Sequence, residues 1–440
     1  MNRTNRIFTH ITSVYICALL TVFLFFCGSG GYQEILQAKF SMFCVVCGGY
    51  LLVMGLLALE LVLIGRVSLP SPAALLRRTG WTQRFVLAYL ALTWISALLS
   101  PYWPRALVGA SRCEGALTIT IYGLCFLLVS AFARVTARTL ALFGVSVSLF
   151  GGLCILQLAG GNPFGLYPAG YGYGDAYTAY SGAYLGTTGN VDLTAALFSL
   201  AIPILWIGLL RLRGRGRWLL AVPLLISSAV LWRMSVLAGL TGVLAGGALA
   251  LPATAPLSPR RRRLLAGALA LAAGLALALV YLKDPGAGML HEVHQILHGN
   301  LNGAFGSGRI HIWRSLWRRV PSHPWFGAGP DTMLYADIPP FTRYDAALGQ
   351  TVTAQIDTAH NEYLNILFHQ GVFALAAYLL ALASAARSWI TRSAEDPVCA
   401  MLGGGVLCYC VQAFFGFSMC ITAPFFWLAL ALLENRAAGD

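Results

Sequence analysis

Charge is what this 440-residue sequence has least of: 10% of its residues are Asp, Glu, Lys or Arg. Soluble domains carry about a quarter, so the scarcity excludes an ordinary cytosolic enzyme. Disorder is excluded by the opposite surplus, 58% hydrophobic residues with 11 Trp, 18 Tyr and 23 Phe, too much apolar surface to stay solvated. There is no internal period and no visible match between halves, which weakens an inverted-repeat transporter. A second cysteine pair is also missing. Cys44 and Cys47 have CxxC spacing inside an apolar run, so they read as small packing residues. Of the 11 cysteines only Cys113 falls clearly in an outer loop, and no disulfide framework is implied.

What is present is a series of apolar runs that recurs to the C-terminus, unlike a signal peptide before a soluble body. Runs near 7–27, 40–65, 85–100, 115–133, 139–159, 191–210, 218–232, 234–251, 264–282, 361–386, 398–416 and 418–434 predict about twelve membrane-spanning helices. The expected fold is an all-α polytopic membrane protein. With the N-terminus in the cytoplasm, 19 of the 29 basic residues fall on the inner side. They include Arg77, Arg78, Arg211 to Arg217 and Arg260 to Arg263. Every short inner loop is basic, so the net charge of +13 is mainly a topology signal, with both termini cytoplasmic, rather than a nucleic-acid footprint.

Two outer loops are long. Residues 160–190 are rich in Gly and Tyr, which suits a headgroup belt or sugar stacking. Residues 283–359 are long enough for an extracytoplasmic subdomain between helices 1–9 (1–282) and helices 10–12 (360–440). Within it, Arg309 to Val320 predicts an amphipathic helix with Ile310, Trp313, Leu316, Trp317 and Val320 on one face. Arg314, Arg318 and Arg319 lie off that face and read as solvated, and Pro321 stops the helix.

Six of eight histidines gather in or beside this loop. His291, Glu292 and His294 lack the i, i+4 histidine spacing of a zinc protease, and with His298 they read as interfacial polar residues rather than a metal set. His360 differs, because it opens an apolar run at the mouth of a helix, where a neutral imidazole can act as a base. Arg233 interrupts an apolar stretch, and Arg309 follows a flexible Gly306-Ser307-Gly308; guanidinium groups favour bidentate phosphate contacts. Outside the cytoplasm a lipid diphosphate can supply both an activated sugar and a leaving group. Its transfer needs cations for the departing diphosphate and a base for the acceptor hydroxyl. Two arginines and one histidine meet those needs, with no cofactor or metal called for.

The same residues carry a resemblance. Ala359-His360-Asn361-Glu362-Tyr363-Leu364 with Gly371, Gly308-Arg309 with Trp313 and Pro324 to Pro330, Gly186 to Asn190, and Gly109 with Arg112 and Gly115 occur in order. Together they resemble the O-antigen ligase and O-antigen polymerase superfamily of bacterial membrane glycosyltransferases. That resemblance implies a GT-C-like helical fold in the bacterial inner membrane, with the active site on its outer face. It implies a polyprenyl-diphosphate-linked glycan donor and metal-independent transfer to a hydroxyl of a glycan, lipid, protein or wall acceptor. It maps the catalytic role to His360 and diphosphate binding to Arg309 and Arg233, with Arg112, Asn190 and Asn361 as further substrate-binding residues. Three positions depart from its pattern: His369 stands for Glu, Asp192 for a second Asn, and Trp232 to Ser235 for a Ser-Arg-Gly turn. Ligase and polymerase share this chemistry. A peptidoglycan polymerase would need an outer carboxylate such as Asp331, Asp337 or Asp357. A flippase would need charges at mid-membrane depth, of which few beyond Glu60 are apparent.

Overall fold

The computed structural model describes residues 3–66, 71, 79–345 and 349–437; Arg77 and Arg78 lie outside them. The first span, α1 (Arg3–Ala18), continues through a π-helical turn at Leu19–Phe23. A second such turn, Cys44–Gly48, joins α2 (Ile35–Phe43) to α3 (Gly49–Leu63) in one long span. Next come α4 (Trp81–Leu99), the short α5 (Trp103–Val108), α6 (Ala116–Phe132) and α7 (Ala137–Leu158). The central helices are α8 (Val191–Arg211), α9 (Ala221–Met234), α10 (Leu237–Thr254) and α11 (Pro259–Leu282). Between residues 283 and 359 lie α12 (Gly288–Leu297), α13 (Arg309–Arg319) and an antiparallel hairpin of β1 (Phe341–Asp345) and β2 (Gln350–Ala354). The chain then forms α14 (Glu362–Arg392), α15 (Pro397–Ala413) and α16 (Ala423–Ala437).

Each of the twelve apolar runs coincides with a helix. Nine helices among the described residues are long and apolar enough to cross a membrane unaided, and α6 and α15 are shorter apolar helices. The protein is an all-α polytopic membrane protein.

The bundle is built on close approaches of small residues, the usual means of packing helices where lipid is as apolar as leucine. A β-carbon at Gly242 or Gly246 of α10 would lie within 3 Å of Cys408 of α15, and one at Gly405 would lie 2.8 Å from Leu200 O of α8. So α8, α10 and α15 stack tightly, with α14 against α4 and α16 against α6 beside them. α8 and α14 both begin at one end of the bundle and finish at the other. At that far end Arg211 donates to Thr254 O and Ala394 O, and Arg436 pairs with Asp396. The basic connections therefore gather at the end opposite the starts of α8 and α14.

Lys39 is buried within the spans, as is Glu434 near the end of α16, whereas Glu60 is exposed on α3. Lys39 Nζ donates to Phe23 O and Leu24 O at 2.7 and 2.9 Å, capping carbonyls that the first span leaves open. Several tyrosines of the 160–190 loop pack on one another and on Tyr32, with Tyr167 buried and Tyr171 and Tyr177 exposed.

Candidate active site

The site lies where α8, α13 and α14 begin. Its backbone is set by an interruption in α14. Gly371 takes φ 81°, ψ 179°, breaking a helix that the hydropathy pattern predicts to be continuous. The freed backbone groups pair with the run from Pro324 to Gly329. Val372 N–H donates to Pro324 O at 2.9 Å, and Ala328 and Gly329 donate to Phe368 O and His369 O at 3.0 and 2.8 Å. Non-helical backbone is tolerated at this depth because protein satisfies it. A β-carbon at Gly371 would lie 2.3 Å from Trp325 O, and one at Gly327 2.3 Å from the His369 backbone, so both glycines allow two main chains to touch.

His360 sits just above this joint. It precedes the helix rather than opening it: Asn361 is the N-cap, its side-chain oxygen accepting Leu364 N–H at 2.9 Å. His360 itself has φ 47°, a left-handed conformation costing about 1–2 kcal/mol in a non-glycine residue. Its neighbour Ala359 is pinned on both sides, donating N–H to Asn365 Oδ1 and accepting from Trp313 Nε1 at 2.8 Å. The imidazole meets the Phe417 ring edge-on, with centroids 5.2 Å apart.

Arg112 approaches the same phenylalanine, its guanidinium 4.5 Å from the ring centroid. Its Nε and Nη2 form a fork on Asp357 at 2.9 and 2.8 Å. The loop carrying Arg112 wraps a second carboxylate: Ser111 and Arg112 N–H donate to Asp331 Oδ2 at 3.1 and 2.9 Å. Asp331 and Asp357 are thus both engaged in holding the Arg112 loop, and Asp337 is exposed.

Arg309 is the first residue of α13 and is largely enclosed. Nη1 donates to Gly306 O at 2.9 Å, whereas Nε is buried and meets no acceptor among the described residues. Burial pulls this guanidinium below its ordinary pKa, opposed by the nearby carboxylate of Asp192. Asp192 is within electrostatic reach of Arg309 and Arg112 together, so three charges converge at the start of α8. Asn190 caps that helix, accepting Asp192 N–H at 2.7 Å. Both predicted asparagines thus spend their oxygen as caps and keep their NH2 groups for other partners.

Arg233 stands elsewhere, exposed in the last turn of α9 within reach of Tyr173. On α13 the buried face is turned from the expected one. Ile312 and Leu316 are inside and Trp317 is 64% exposed, because the helix packs on Met333, Ile356 and Phe368. Arg314 and Arg319 are exposed and donate to Leu301 O and Asp337 O. His291 binds Asp284 at 2.6 Å, a carboxylate not foreseen for this histidine group, while the His294 and His298 rings meet at a tilt with centroids 4.2 Å apart. No group of three metal-binding side chains forms among the described residues.

Sequence reasoning missed Phe417, Glu114 and the partner of Arg112. Below the Arg112–Asp357 pair lies a polar cavity of about 50 Å³, bounded by Glu114, Glu362, His369 and Tyr89 among others and roomy enough for a few waters. Burial raises the Glu114 carboxyl well above the usual carboxylate range, and Tyr122 donates to it at 2.7 Å.

Residues 193–379 match a family model described as O-antigen ligase. No curated protein matches the chain. The matched segment holds Arg233, Arg309 and His360; Arg112, Asp192 and Phe417 lie outside it.

Proposed function

Starting from the chain's membership of the O-antigen ligase superfamily, we propose that it moves a glycan from a polyprenyl-diphosphate-linked donor to an acceptor hydroxyl outside the bacterial cytoplasmic membrane. Lipid-linked glycan transfer in general follows from the family; the residue roles are our reading. The observation that carries them is Arg309, a largely enclosed guanidinium with an unmet N–H beside the carboxylate of Asp192. A buried donor without an acceptor is costly, and a diphosphate oxygen would satisfy it.

In this mechanism Arg309 holds the diphosphate, and Arg233, apart from this group on the exposed end of α9, is the second cation proposed for the donor. His360 takes the proton of the acceptor hydroxyl as its oxygen attacks the anomeric carbon. The bond from that carbon to the diphosphate oxygen breaks, and the arginines stabilise the departing negative charge, so that no metal is required. Arg112 keeps its fork on Asp357, and the side chains of Asn190 and Asn361 are the groups proposed to meet sugar hydroxyls. The basic loops lie at the opposite end of the bundle, which supports an outward-facing site under the positive-inside rule. The helical scaffold serves as a GT-C-like frame.

The test is turnover of a polyprenyl-diphosphate glycan by purified protein in the presence of chelator, comparing wild type with His360→Ala and Arg309→Lys. Wild type should release polyprenyl diphosphate and form a glycosylated product, His360→Ala neither. Arg309→Lys should lose at least about a hundredfold, because an ammonium cannot reproduce the fork. Product length separates single transfer from polymerisation. Movement of the lipid between leaflets without any product would assign the arginines to a transport path instead.

A further inference from the structure

The α15–α16 linker, residues 414–422, touches α13, the first turn of α14, Arg112 and His360. Trp313 of α13 packs edge-on against Phe414 at 5.8 Å. Ser418 N–H donates to Glu362 in the first turn of α14 at 2.9 Å. Arg112 reaches Met419 Sδ with Nη1 at 3.8 Å, and its guanidinium carbon lies over the Phe417 ring. Phe417 is 5% exposed, and the His360 ring meets its ring edge-on.

These contacts divide the placing of His360 into two parts. The backbone is fixed by Trp313 and Asn365 acting on Ala359 and by the Asn361 cap. None of those contacts constrains the turn of the imidazole about its own side-chain bonds. The ring of Phe417 does, and it is itself held by Arg112, whose fork is anchored on Asp357. A proton acceptor must present one nitrogen along one direction, and a small misorientation is expensive in rate.

We propose that Phe417 is a positioning residue for His360, fixing the orientation of its imidazole, and that Arg112 and Asp357 act through it. The proposal rests on the transferase reading of the site. It places a determinant of the reaction in a linker beyond the matched family segment. It also gives Arg112 a role that does not require it to release Asp357 and grip substrate.

The experiment measures kcat and donor KM for the full-length protein in lipid, with Phe417→Leu, Phe417→Met, Phe417→Tyr, Arg112→Gln and the Arg112→Gln/Phe417→Leu double variant. Phe417→Leu and Phe417→Met should lower kcat by about 10- to 100-fold with donor KM within about twofold, since position rather than binding is lost. Phe417→Tyr keeps the ring and should retain most of the rate. The double variant should be no slower than the slower single one, because both residues act on one orientation. Near-normal turnover in both Phe417→Leu and Phe417→Met would overturn the proposal. So would a rise in donor KM that accounts for the whole loss, or failure of tyrosine to restore the rate. Wild-type protein that releases no polyprenyl diphosphate would remove the transferase reading and this proposal with it. A wild type and His360→Ala that behave as expected beside an unaffected Phe417→Leu and Phe417→Met would remove this proposal alone.

Discussion

Two helices of similar length and nearly equal hydropathy have opposite surroundings. In α8 the most apolar window has a mean hydropathy of 2.2 and is 83% buried; in α11 the values are 2.3 and 0%. Hydropathy therefore reports that a segment lives in the membrane, and not where in the bundle it lies. The information is in the variety of side chains. α11 after its basic start is almost wholly Leu, Ala and Gly, whereas α8 mixes Phe198, Trp206 and Pro203 with Thr194 and Ser199. Hydroxyls inside a span need partners, and these have them: Thr194 bonds Leu185 O and Ser199 bonds Ala195 O. Shape and polarity in an apolar run mark protein neighbours; uniformity marks lipid. The helix so enclosed is also the one whose start carries Asn190 and Asp192 into the site.

The contrast can be broken most directly at its centre. Phe198→Ala in α8 should destabilise the protein by roughly 2–4 kcal/mol, read as a lower melting temperature in detergent, through the cavity left in a tightly packed position. A smaller loss, about 1–3 kcal/mol, is expected for Gly405→Ala, whose methyl group would press on Leu200 O of α8. At the start of α8, Asp192→Asn removes the carboxylate within electrostatic reach of Arg309. Donor KM should fall about fivefold, near 1 kcal/mol, and an unchanged KM would detach Asp192 from the donor. The least effect belongs to α11. Leu275→Ala and Gly274→Ala should each shift stability by less than about 0.5 kcal/mol, since nothing lies within 4 Å of a β-carbon at Gly274. Equal losses in the two helices would mean that α11 meets a protein surface in the assembled membrane.

The spans were readable because each is a local property, a run of apolar residues of the right length. His360 and its glycine companions were readable for the same reason, as short motifs. What escaped was everything joined across the chain. Arg112 and Asp357 are 245 positions apart, and no periodicity connects them. Phe417 was hidden by its own hydrophobicity. Runs at 398–416 and 418–434 leave almost no room for a linker, yet α15 ends at Ala413 and the aromatic residues after it turn toward Trp313 and His360. Glu114 escaped because an acid beside an apolar run reads as an exposed loop residue until Tyr122 is seen to cover it. Arg233 and Arg309 both read from sequence as cations for the diphosphate; packing separates the exposed one from the enclosed one.

The linker between α15 and α16 also has a meaning in time. A ribosome feeding this chain into a membrane delivers Arg112 early, His360 much later, and the phenylalanine that lies between their side chains only after α15 has been made. Until then the imidazole lacks the edge-on contact with Phe417, even with Arg309 and Asp192 already made. Assembly of the reactive centre is thus among the last events of synthesis, and a nascent chain caught short of residue 417 would hold the charged groups without the means to align them.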